Sequence, residues 1–477
     1  MNRWLLTLVF LTGCRVGPDY VPPESCVSDQ WATQGGTIEA PPMDYWWESF
    51  EDPLLNCLEE EAATYNYDLA AAESRILRAR ALVEVAAANY YPQVFFDANA
   101  TKTYFSKNGP VFAIQGPGSN QTTGLNTQNQ LPQIPQKQNL FNTAFDATWE
   151  IDFFGLTARM VEAQVAAYQT IIEERNGLLL TLFAEVARNY MELRGAQAHI
   201  QLTQTQLNLL QQEVDFVSRR LQGGLGNQLD LRRSEAELRT LAAHIPSYHA
   251  QMYQNIYALS VLTGREPEAL LNTLQIIDNL PTPIATVPMG LRSDLLRRRP
   301  DIREAEWNLA QANALVGVAI ASFYPTITLS GLAGTQSLQL KDLFKSSSVT
   351  YSYGVDFNIP IYTGGYLEAN LSANRAAFEV AYATYQQTVL NAVQEAESDL
   401  ATWSQDSETV TFLQQAVDSH QQVVHLSEER FKQGLTSLKD HLDTQREMIL
   451  NEQNLLTAQI QQLLDQISLF KALGGCI

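Results

Sequence analysis

Cysteine is scarce: 4 residues in a chain of 477. That rules out a scaffold stapled by disulfides. After the first few residues no stretch approaches the roughly 18 consecutive apolar positions that a membrane-spanning helix needs. Basic residues are outnumbered, 31 Lys and Arg against 52 Asp and Glu, giving a net charge of -21. Such acidity argues against nucleic acid and against anionic membrane surfaces as partners. Catalytic signatures are missing as well: there is no HExxH, no GxSxG and no Walker lysine. Gly223-Gly224-Leu225-Gly226 lacks both the strand before it and the Lys after it. His244/His249 and His420/His425 are spaced five apart, off the same-face spacing of a helical metal pair. These absences predict a protein with no enzymatic chemistry, no cofactor and no metal site. Proline is absent from 156–222 and from 366–433, which leaves two very long stretches open to unbroken helix.

What is present begins at the N-terminus. Arg3 precedes the apolar run Trp4 to Phe10, and Leu11-Thr12-Gly13-Cys14 follows. A short basic end, a short apolar core and small residues at a cleavage point describe a secretory signal over 1–13. The ending resembles a bacterial lipobox, in which the Cys14 thiol is lipidated (palmitate among the acyl chains) and becomes the first residue. Arg15 and Val16 follow without an Asp, which reads as outer-membrane sorting. Cys26, Cys57 and Cys476 then remain, an odd number that leaves open one pair, Cys57 with Cys476, or buried free thiols.

The rest of the chain is one plan written twice. Arg220-Leu-Gln-Gly-Gly224-Leu-Gly-Asn227-Gln-Leu-Asp230 recurs about 210 residues on as Arg430-Phe-Lys-Gln-Gly434-Leu-Thr-Ser437-Leu-Lys-Asp440. Ala86 to Pro92 is echoed by Ala319 to Pro325, and Trp149 to Gly155 more loosely by Phe357 to Gly365. Each copy reads helix, strand, strand, very long helix, tight turn, helix. The first helix runs from Leu54 to about Tyr90; its counterpart starts near Pro300, with Asp301 and Glu304 suiting a positive helix end. The neighbouring Arg297-Arg298-Arg299 reads as structural.

After each proline the period changes to 2. Val94, Phe96, Ala98 and Ala100 alternate with Phe95, Asp97, Asn99 and Thr101; Phe141, Phe145, Trp149 and Ile151 alternate in the same way, and again Val349, Tyr351, Tyr353, Val355 and Phe357. Pro325 to about Gly334 is a weaker fourth strand. Ten-residue alternation of this kind, on a chain without apolar helices, is the pattern of a transmembrane barrel strand. Four strands do not close a barrel, and hydrocarbon does not tolerate open edges. Several chains must therefore contribute, and three would supply about twelve strands. Segment 104–140, rich in Gly, Pro, Gln and Asn, reads as a long external loop, with 335–348 its shorter partner.

The proline-free stretches predict helices from about Leu156 to Gln222 and Tyr366 to Gln433, each on the order of 100 Å long. Apolar positions such as Val389, Ala392, Val393 and Ala396 recur at three and four, so the helices should pack side by side as coiled coil. Partners return over about 229–264 and 438–473, the first kinked at Pro246. The repeated motif joins them: Arg220 and Arg430 in the last turn, Gly224 and Gly434 in the left-handed position beyond it. Asn227 and Ser437 are the next N-caps, with Asp230 and Asp440 three residues on. Asp443 has no capping role and lies one turn beyond Asp440.

Taken jointly, these features resemble the TolC/OprM family of outer-membrane efflux ducts over nearly the whole chain. Gly17-Pro18-Asp19-Tyr20-Val21-Pro22-Pro23, Arg298-Arg299-Pro300-Asp301-Ile302, both Tyr-Pro pairs and both hairpin tips carry the likeness. The resemblance implies a mainly α homotrimer whose long helices form a periplasmic α-barrel under a 12-stranded transmembrane β-barrel. It implies the layout 1–13 signal, 14–53 lipidated segment and collar, 54–264 first repeat, 265–292 equatorial linker, 293–473 second repeat and 474–477 end. It implies a lipid-anchored outer-membrane location reaching into the periplasm, with a periplasmic adaptor protein and an inner-membrane resistance-nodulation-division pump as partners. It places Asp440 and Asp443 at the periplasmic aperture and makes the tips, with Arg220, Gly224, Asp230, Arg430 and Gly434, the adaptor docking sites. One position departs: two residues after Gly434, where the family can carry a latching Arg, this chain has Thr436. A duct for type I protein secretion and a lipid-anchored coiled-coil tether without a pore are the other readings of the same residues.

Overall fold

The computed structural model describes residues 15–23, 27–28, 30–32, 45–106, 135–284 and 286–475. Cys14, Cys26 and Cys476 lie outside them, and with them the lipidation site and the Cys57–Cys476 pair. Cys57 itself is an exposed free thiol, contrary to the buried alternative; it points outward from the first helix, whose inner face is taken by Leu55, Leu58 and Ala62. The chain divides into two compact units, one from the described parts of 1–20, 80–165 and 310–378, the other from those of 21–79, 166–309 and 379–477.

The first unit holds a four-stranded sheet, β1 (Gln93–Tyr104), β2 (Lys137–Ile151), β3 (Thr326–Ser337) and β4 (Val349–Asn358), in that order. Every neighbouring pair is antiparallel, and β2 with β3 joins the two sequence repeats through pairs such as Phe145 with Ala333. Directly opposed residues share a face. The register therefore collects the alternating sets: Phe96 opposes Phe145, Trp149 opposes Leu329, and Val355 and Phe357 oppose Leu329 and Ile327. Phe96 and Phe145 also touch, with ring centroids 5.0 Å apart. In the same unit Arg159 is wholly buried and binds the N-terminal segment, donating to the Val16 carbonyl at 3.0 Å and the Gly17 carbonyl at 2.9 Å. Its guanidinium also pairs with Asp19 at 3.0 Å and Glu162 at 2.8 Å, leaving a buried cation fully partnered.

The second unit is helical. The single helix expected from Leu54 to about Tyr90 is two, α1 (Pro53–Tyr65) and α2 (Tyr67–Ala87). Asn66 breaks it: its backbone is extended and its Oδ1 accepts from Asp68 and Leu69, capping α2, while its amide donates to the Leu262 carbonyl at 3.0 Å. A tertiary anchor thus overrides local helix preference. α3 (Leu156–Gln222) and α7 (Tyr366–Lys432) are each 67 residues without a break. The return from α3 is split into α4 (Gln228–Ala242) and α5 (Ile245–Leu262), with Pro246 in the first turn of α5, where its missing N–H costs nothing. α6 (Pro300–Ala321) and α8 (Leu438–Ala472) are the other long helices.

The core sits where the middle of α3 meets α1, α5, α7 and α8, and it takes in Trp46, Trp47, Phe50, Leu274, Val287 and Phe470. Trp46 stacks on Phe470 at 5.2 Å, and Trp47 packs tilted against Phe183 at 4.4 Å. Each such side chain contributes about 2–3 kcal/mol on burial. The stripe Val389, Ala392, Val393 and Ala396 is buried, Ala392 and Val389 against Ile302 of α6. Arg299 is a structural tie, as read from the sequence: it binds Asp301, Glu395 and the Ala472 carbonyl, fastening the start of α6 to α7 and the end of α8.

Candidate duct and helical tips

Two sets of residues suggest function, the sheet and the helical tips. On β4 the side chains of Val349, Tyr351, Tyr353, Val355 and Phe357 are exposed, and Thr350, Ser352, Asp356 and Asn358 fall on the other face. No helix covers this apolar face among the described residues. Water would penalise it, whereas lipid would not. Among the described residues β1 and β4 also end the sheet with unpaired edges, which only another strand can satisfy.

Both tips are built alike. α3 ends in a Schellman arrangement: the Gly224 amide donates to the Leu221 carbonyl at 3.0 Å and the Leu225 amide to Arg220 at 2.9 Å, with Gly224 at φ +73°. The second tip repeats this with Gly434 at φ +75° and Leu435 donating to Arg430 at 2.9 Å. A left-handed residue just past the helix end is where glycine avoids the Cβ penalty. Asn227 then caps α4 by accepting from the Asp230 amide at 2.8 Å, and Ser437 caps α8 by accepting from Asp440 at 3.2 Å. The Ser437 hydroxyl also donates to the Asp440 carboxylate at 2.7 Å. Asp440 is therefore engaged in the cap, while Asp443, also exposed, lies beyond it. Arg220 stands over the rings of Phe216 and Phe431, 5.9 and 5.4 Å from their centroids, and so ties the end of α3 to the end of α7. Arg430 is exposed.

Sequence reasoning missed a groove close to these tips. About 580 Å³ lies between α3, α7 and α8, with Phe216, Phe431 and Met448 in its lining and Glu213, His441 and Gln445 among its polar groups. Helical spacing places Glu213 on the Leu210, Val214 and Val217 side of α3, the only signal that the residue is inward. His441 stacks flat on Phe431 at 5.2 Å. Burial holds its pKa below 6.5, with Glu428 opposing that shift.

With this geometry in view the comparisons with known proteins are decisive. The sequence model of the family "Outer membrane efflux protein" matches residues 58–265 and 291–475. The chain belongs to that family. It is 29% identical over 488 residues to the toluene efflux pump outer membrane protein TtgC of Pseudomonas putida, covering 100% of this chain and 96% of that one. The solved outer-membrane channel OprN superposes with a TM-score of 0.86 at 28% identity, over 97% of this chain and 99% of that one. The open state of the MtrE outer membrane channel of Neisseria gonorrhoeae superposes at 0.81 with 26% identity, over 97% and 98%. The likeness spans both units, so the sheet and the long helices are shared with outer-membrane efflux channels. The family is one of transport ducts rather than enzymes.

Proposed function

We propose that this chain is the outer-membrane exit duct of a tripartite efflux system. It works as a homotrimer whose sheets close into a 12-stranded barrel, anchored also by lipid on Cys14, and it receives small molecules from a periplasmic adaptor protein and an inner-membrane pump. The observation that carries this reading is the sheet: four strands, two open edges and an apolar face uncovered among the described residues, in a chain of the efflux family. Closure by copies of the same chain satisfies both edges at once and turns the apolar face to lipid. The toluene efflux relative supports small apolar compounds as cargo. The repeated tips give a trimer six similar docking surfaces for the adaptor, centred on Arg220, Gly224, Asp230, Arg430 and Gly434. Asp440 and Asp443 line the entrance and favour cations.

Reconstitution in planar bilayers tests the duct. The native protein should conduct, and Asp443→Ala with Asp440→Ala should raise conductance and lower cation preference. Absence of any conductance would refute the duct in favour of a tether; unchanged selectivity in the double variant would remove the two acids from the entrance.

A further inference from the structure

Glu213 occupies an unusual position. It is 9% exposed, and no hydrogen bond of normal geometry reaches either carboxyl oxygen among the described residues. It belongs to α3, whereas the groups that close over it belong to α7 and α8, the hairpin that carries the second tip. An ionised carboxylate left without partners in such a place is costly, so the neutral form is favoured.

The charged and titratable groups around it do not supply the missing partner. Arg219, on the same helix, lines the groove. On α7, Glu428 and Lys432 pair with each other at 2.5 Å. On α8, Glu452 accepts from Gln206 at 2.8 Å. His441 contacts Ser427 through Nδ1 at 3.3 Å and Gln445 through Nε2 at 3.1 Å. With the Gln445 amide donating to Nε2, the ring is neutral and its Nδ1–H faces the serine hydroxyl. Gln445 thus gives an amide N–H to the histidine and acts on the Glu213 carboxyl from outside normal hydrogen-bond geometry.

We propose that Glu213 is a proton-linked latch on the periplasmic entrance: neutral and sealed while α7 and α8 lie against α3, ionised and hydrated once the second tip is drawn away. The inference rests on the second tip forming the entrance, and it adds the regulation of that site. Burial pushes the Glu213 carboxyl from 4.5 up to about 7; the Gln445 amide offsets part of the rise and Glu428 adds to it. Opening returns the group toward its ordinary value and so releases a proton. Acid therefore favours the closed arrangement, and rising pH favours the open one. Between pH 6.5 and 8 the bias toward opening grows about fourfold per chain. His441 works in the opposite direction, because exposure lets it take up a proton below its ordinary 6.5. Comparison with a Glu213 variant removes that contribution, since the histidine is common to both.

The test is open probability of the full-length channel in planar bilayers at pH 6.5 and 8, native against Glu213→Gln. Glutamine keeps the shape and the neutral form but cannot ionise. The native channel should open more at pH 8, by about fourfold per chain relative to the variant, and the variant should keep only the opposite drift that His441 supplies. Infrared difference spectra between the two pH values should show loss of a protonated carboxyl band that is missing in Glu213→Gln. Identical pH responses in the two proteins, or no such band, would overturn the latch. A conducting native channel whose Asp443→Ala variant alters selectivity, but whose pH response ignores Glu213, would sink the latch and leave the entrance reading standing.

Discussion

Gly434 and Gly264 share a backbone conformation and differ in everything around it, and that contrast gives a quantitative test of why glycine stands at the hairpin tip. Gly434 has φ +75° and an added Cβ would meet nothing within 4 Å. The cost of Gly434→Ala is then conformational alone, about 1–2 kcal/mol. Gly264 has φ +72°, but a Cβ there would fall 2.2 Å from the Tyr65 carbonyl oxygen, at the junction where Asn66 separates α1 from α2. To the same conformational cost is added a forced backbone displacement, so Gly264→Ala should lose about 2–5 kcal/mol. Thermal unfolding of the detergent-purified protein, followed by helical circular dichroism, should rank native, Gly434→Ala and Gly264→Ala in falling order. Gly434→Val should lie below Gly434→Ala, because a β-branched residue tolerates the left-handed region less well. Should Gly434→Ala prove as damaging as Gly264→Ala, the tip glycine would be packed against something, and backbone freedom would not explain it.

Three further outcomes are expected. Cys14→Ser should accumulate as uncleaved precursor without fatty-acid label while the sheet still inserts; normal palmitate labelling of that variant would end the lipobox reading. Native mass spectrometry in mild detergent should give about 160 kDa, three chains of 53.3 kDa less their signals; a monomer or dimer would contradict closure by three copies. Glu59 is fully buried, and burial pushes its pKa well above 4.5, against a partial offset from the backbone of Ala187. The folded protein therefore loses stability as pH rises above 4.5, by on the order of 1.4 kcal/mol per unit until the folded pKa is passed. Glu59→Gln should gain on the native protein between pH 5 and 8 in thermal unfolding, and a constant difference across that range would show the side chain to be charged when folded.

What the sequence disclosed and what it hid follow from chemical distance along the chain. The tips were legible because Arg220, Gly224, Asn227 and Asp230 act on each other within one turn and carry their own caps. The strands were legible because alternation needs no partner, although β2 begins at Lys137 and β3 reaches Ser337, both beyond the alternating cores. The break at Asn66 was hidden, since the group that fixes it, the Leu262 carbonyl, is 196 residues away. Arg159 looks in sequence like any helical arginine; only the arrival of residues 16–19, about 140 positions earlier, makes it a buried anchor. Glu213 was hidden for the same reason, because α7 and α8, and not its own helix, take it out of water.

The open edges of β1 and β4 carry one more consequence. Among the described residues the sheet has 3 strand pairings, and in the proposed trimer every further ladder comes from another copy. On that proposal the last step of sheet formation is a collision between molecules, not a rearrangement within one. Its rate should climb steeply with the concentration of chains arriving at the membrane, while the helical hairpins, whose tips close locally, fold at a rate indifferent to dilution. Slow synthesis would leave the sheet and the hairpins of the same polypeptide maturing on different clocks.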